Sequence, residues 1–116
     1  MKERIKIFPM LILITNDDSI EAPGLRFLVD CVKDLGEVYV VAPAVPHSGQ
    51  SSAFTVNAAL RIKELEGYNE ARMFSVNGTP VDCVKLSLHH ILPRKPDLLL
   101  SGVNHGSNAG NSVIYS

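Results

Sequence analysis

Three short apolar runs constrain this chain more than any other feature: residues 10–15 (MLILIT), 37–42 (EVYVVA) and 98–101 (LLLS). None alternates between apolar and polar residues, so each is expected to be a strand buried on both faces, as in a parallel sheet. After the first run the residues Asn16, Asp17, Asp18 and Ser19 read as a turn, and Pro23 suits a first helical turn. Leu25, Leu28, Val29, Val32 and Leu35 then recur at helical spacing, with Gly36 as the stop. Strand, helix and strand make a βαβ unit, whose crossover is right-handed.

Residues 43–53, rich in Pro, Ser and Gly, read as a loop. Residues 54–63 and 72–77 are more mixed in polarity and are expected to form a hairpin around Gly67, off the main sheet. Thr79-Pro80-Val81-Asp82 is a helix start, with Thr as N-cap and a carboxylate three residues on. Val81, Val84, Leu88 and Ile91 are expected to be its buried stripe, ended by Pro93. The element order predicts an α/β fold: an open, mostly parallel sheet with helices on its faces and an extra β-hairpin.

The 116 residues are 46% hydrophobic and 20% charged, which fits one domain or part of one and excludes disordered and collagen-like chains. A net charge of −1 gives no basic field for a nucleic-acid duplex. Cys31 and Cys83 cannot build a disulfide framework and read as reduced, buried thiols. The basic start followed by a short run containing Pro9 lacks a cleavage site, and no stretch approaches the roughly 20 apolar residues of a membrane span. The expectation is a soluble, cytoplasmic protein with no membrane partner.

In such sheets ligands bind outside the carboxyl ends of the strands. After the first run come Asp17 and Asp18, whose mutual repulsion a divalent cation would neutralise, although Asn-Asp-Asp is also ordinary turn chemistry. After the second comes a loop with the hydroxyl of Ser48. After the third comes SGVNHGSNAG, where Gly102, Gly106 and Gly110 let backbone N–H groups approach an anion, and Asn104 and Asn108 add amides. The spacing matches neither a dinucleotide fingerprint nor a Walker loop. Two carboxylates, a hydroxyl and an Asn oxygen suit Mg²⁺ or Mn²⁺ rather than zinc, which favours metal-assisted phosphoester hydrolysis.

The stretches ITNDD, APG, VVAP, SG, GTPVDCVKL, PDLLLSGVNHGSN and the final YS, in this order, together resemble the SurE survival-protein family of metal-dependent nucleotidases. The resemblance implies a Rossmann-like three-layer α/β/α fold, with residues 1–116 the N-terminal part of a single domain, incomplete relative to the family. It implies that Asp17, Asp18, Ser48 and Asn104 hold the metal, and that Asn104, Asn108 and Ser116, with the backbone around Gly102 and Gly106, line a phosphate pocket. Asp17, Asp18, Asn108 and Ser116 are then the catalytic set, and Mg²⁺ or Mn²⁺ the cofactor. A nucleoside monophosphate is the implied substrate, as 5′ or 3′ ester, and a homodimer or homotetramer the implied full-length assembly. Two positions depart from the family: Ser19 where Gly is usual, and Ala44 where Asp is usual. Ser19 is strained if that position requires positive φ. The rival expectation is a nucleotide- or metal-binding fragment without turnover. His89 and His90 are expected to favour a helix end, and Lys85 the surface.

Overall fold

The computed structural model describes residues 9–46, 59–103 and the backbone of 113–115. Strand β1 is Met10–Thr15, helix α1 Pro23–Val32, and β2 Gly36–Pro43. Then come β3 Ile62–Tyr68, β4 Ala71–Val76, helix α2 Pro80–Leu86, β5 Leu98–Ser101 and β6 Val113–Tyr115. They form one six-stranded sheet in the order β3-β4-β2-β1-β5-β6. The central strands β4, β2, β1 and β5 are parallel, and antiparallel β3 and β6 close the two edges.

The three apolar runs are strands, β1 and β2 largely buried and β5 half-buried apart from Leu100, and β1 lies between the other two. Because side chains alternate across a strand, β1 feeds two separate cores. Ile12 and Ile14 pack with Leu25, Leu28, Val29 and Val32 of α1. Leu11 and Leu13 pack on the other face with Tyr39, Val41, Phe74, Val76 and Cys83 of α2. The result is helix, sheet, helix: three layers, as the sequence implies. Each fully buried Leu, Ile or Val contributes roughly 1.5–3 kcal/mol.

Four expectations are corrected. The hairpin is not off the sheet: β4 pairs parallel with β2, because Ala71, Met73, Phe74 and Val76 are all buried and need neighbours on both faces. Its turn is Asn69-Glu70, both at positive φ (48° and 71°), rather than Gly67, and residues 54–58 lie outside the described residues. Gly67 instead sits in β3, where a Cβ would come within 2.6 Å of the Ala71 carbonyl oxygen. Helix α1 stops at Val32, which leaves Leu35 exposed, and Gly36 opens β2, pressed against the Met10 backbone where no Cβ fits.

The face of α2 is also rotated from the expected stripe. Val81 and Leu88 are exposed, while Cys83 and Ser87 are completely buried. Beyond Leu86 the helix widens, with Leu92 N–H donating to the Ser87 carbonyl at 2.9 Å. Ser87 tolerates burial because its hydroxyl donates to the Cys83 carbonyl at 2.6 Å. Burial pushes the Cys83 thiol up to about 12, so it is inert as the sequence suggested, whereas Cys31 is exposed on α1 rather than buried.

Candidate functional site

Strand β1 connects through α1 on one face to β2 on its left, and β4 connects through α2 on the opposite face to β5 on its right. The chain direction therefore splits between β1 and β5, and the crevice above such a switch point is where open α/β sheets bind ligands. Thr15 and Ser101 are register partners at its floor. The loop bearing Asp17 and Asp18 rises from one side and Gly102 from the other.

That loop is fastened through backbone. Asn16 is completely buried, and its side-chain amide donates to the Ser19 carbonyl at 3.0 Å while its carbonyl oxygen accepts the Ser19 N–H at 3.2 Å. Ile20 N–H donates to the Pro43 carbonyl of β2 at 2.8 Å, and Gly102 N–H to the Thr15 carbonyl at 3.0 Å. Between these anchors Asp17 is exposed and Asp18 half-buried. Ser19 has φ of 109°, the left-handed region that favours glycine, as its departure from the family pattern anticipated.

Helix α1 begins with Pro in its first turn and no side-chain cap. Gly24 follows because a Cβ there would come within 2.5 Å of the Val103 carbonyl oxygen. The APG stretch thus lets the backbone after β5 settle against the start of α1. The GTPVD stretch is a helix start: Thr79 and Asp82 form a reciprocal capping box, at 2.9 and 3.1 Å. Gly78 leaves room for it, since a Cβ would come within 2.6 Å of the Asp82 carboxylate.

Of the residues predicted for the site, Asp17, Asp18 and Gly102 are described, and the first two stand together on one side of the crevice. The Gly102 N–H is already bonded to Thr15, so it is not a donor for an anion. Ser48, Asn104, Gly106, Asn108 and Ser116 lie outside the described residues. Among the described residues no three of His, Cys, Asp and Glu gather into a metal cluster. The donors among the described residues fit a hard divalent cation: two adjacent carboxylates, with Asp17 in neither of the ion pairs Arg72–Glu64 and Arg94–Asp97. The buried Thr15 hydroxyl has no partner better than the neighbouring Cys83 thiol. The residue that sequence reasoning passed over is Asn16, read only as a turn former; an Asn that closes a strand buried on both faces was the available signal.

His89 and His90 are exposed in the last turn after α2, and Lys85 is exposed on it, as expected. Among the described residues no helix is long and apolar enough to cross a membrane.

Residues 12–116 match the family described as survival protein SurE. Proteins named 5′-nucleotidase SurE from Chlorobium limicola and Flavobacterium psychrophilum are each 51% identical to this chain, over 105 and 107 residues. Those segments are 90% and 91% of this chain but 41% and 42% of the relatives, so the chain spans about two fifths of their length. The crystal structure of SurE protein from Aquifex aeolicus superposes with a TM-score of 0.69 at 38% identity, over 84% of this chain and 39% of that one. Sequence match, half-identity and shared architecture agree: this chain belongs to the survival protein SurE family.

Proposed function

We propose that this chain carries the metal- and phosphate-binding part of a phosphatase acting on nucleoside monophosphates. One observation carries the reading: Asp17 and Asp18 sit together above the β1–β5 crevice, in a chain about half identical to proteins named 5′-nucleotidase SurE. The cation would be held by Asp17 and Asp18, with Ser48 and Asn104 completing an all-oxygen set that suits Mg²⁺ or Mn²⁺. When bound, such a cation supplies Lewis acidity, polarising a phosphoryl oxygen and acidifying water at neutral pH.

The remaining chemistry belongs to the chain. Asp17 and Asp18, beside the cation they would hold, are the proposed groups that orient the attacking water. Asn108, Ser116 and the Gly106 amide are the proposed donors to the equatorial phosphoryl oxygens. Gly102 enters as a backbone bend, φ 138°, that ties the loop after β5 to Thr15.

The test is phosphate release from nucleoside monophosphates, 5′ and 3′, with and without Mn²⁺. Asp18→Asn is expected to abolish Mn²⁺-dependent release, and undiminished turnover in that variant overturns the assignment. The rival outcome is binding without turnover. Mn²⁺ and nucleotide binding with no release of phosphate selects it.

A further inference from the structure

A fully buried polar side chain stands directly before the two carboxylates. Asn16 has no exposed surface, in a stretch that is otherwise apolar from Leu11 to Ile14. Burying an amide is costly unless it is fully bonded, and a small apolar residue would fill the end of β1 at less cost. Asn16 uses both ends of its amide on one residue, Ser19, gripping its N–H and its carbonyl at 3.2 and 3.0 Å. That residue is held at φ 109°, a conformation that its own Cβ resists.

We infer that Asn16 is a positioning residue, whose amide holds Ser19 in its left-handed conformation and so fixes where Asp17 and Asp18 point. The inference rests on the metal reading proposed above. Loop residues 17 and 18 lie between two anchors, Asn16 behind them and the Ile20–Pro43 bond ahead. With the Asn16 clamp gone, Ser19 gains by returning to negative φ. That change rotates the peptide joining Asp18 to Ser19 and carries the Asp18 carboxylate with it. A glycine at position 19 has no such preference and keeps the loop's path without a clamp.

The experiment titrates Mn²⁺ into wild type, Asn16→Ala, Asn16→Ala/Ser19→Gly and Asp18→Asn. Binding is read from the EPR signal of free Mn²⁺, and folding from circular dichroism in the same samples. Asn16→Ala is expected to stay folded and bind Mn²⁺ about tenfold more weakly or worse, the scale of losing a residue that orients metal ligands. The double variant is expected to recover most of that loss. A merely structural Asn16 would lower the melting temperature and leave the affinity of the folded protein unchanged. Wild-type affinity in Asn16→Ala, or a double variant no better than the single one, overturns the inference. Should the alanine variant not fold, Asn16→Ser makes the same comparison with and without Ser19→Gly. Wild-type affinity in Asp18→Asn would instead sink the metal reading itself, so the two failures are told apart.

Discussion

The two edges of the sheet use their carboxylates differently. At the amino edge, acids hold the fold together. Asp97 accepts the Leu11 N–H of β1 at 2.8 Å and pairs with Arg94 at 3.1 Å, while Arg94 also reaches the Pro9 carbonyl. Asp30 takes the Tyr68 hydroxyl and the Asn69 amide, docking α1 onto the hairpin turn, and Glu64 receives the guanidinium of Arg72, which lies over the Tyr39 and Phe74 rings. At the carboxyl end of β1 the backbone is fastened by a neutral amide, Asn16, and the acids Asp17 and Asp18 ride on the loop it secures, while beyond β4 Asp82 caps α2.

The largest expected effect is a double dissociation across the sheet. Asp17→Ala is expected to remove measurable Mn²⁺ binding while its melting curve without metal stays within about 0.5 kcal/mol of wild type, the usual scale for an exposed position. Asp97→Ala is expected to do the reverse, lowering the melting temperature while the folded protein binds Mn²⁺ as before. If both variants lose stability and both keep metal, the division of labour between the edges is wrong.

A middle-sized effect separates the helix start from the site. Thr79→Ala removes one arm of the capping box, an expected loss of about 1 kcal/mol in chemical denaturation. Because the GTPVD stretch is explained by its cap, metal affinity should not move. A change in Mn²⁺ affinity larger than the change in stability would return that stretch to the site.

The contrast between the edges also bears on what the sequence made legible. Continuous apolar runs marked β1, β2 and β5, because burial on both faces leaves no room for alternation. Thr79 and Asp82 marked the start of α2, since a capping box is a local device. What the sequence hid depends on contacts distant along the chain. Strand β4 joins the sheet through β2, more than thirty positions earlier, and no local pattern reports that pairing. The buried face of α2 is set by Cys83 packing against residues of β1, β2 and β4, which the helix's own sequence does not report. In the site, the paired acids were visible as a repulsion in need of a cation. The clamp behind them was not, because an Asn that holds a loop and an Asn that merely turns one look alike until the burial of Asn16 is known.

The smallest expected effect is in acid. The Leu11 N–H above all holds the Asp97 carboxyl below its ordinary value of 3.8; burial opposes it, and the Arg94 guanidinium adds to the lowering. The Arg72 guanidinium likewise lowers Glu64 from 4.5. A carboxyl whose pKa is lower folded than unfolded binds fewer protons in the native state, so stability must fall as pH falls. The contribution is fully present above the ordinary carboxylate values and is lost as pH drops through the lowered ones. Thermal melts between about pH 5 and pH 2, without metal, should therefore show a shallower decline in Asp97→Ala than in wild type, since that variant has already lost one of the linked protons. An unchanged acid slope in Asp97→Ala would mean that the amino edge is held by its backbone ladder alone, and that the contrast with the carboxyl edge is one of geometry rather than charge.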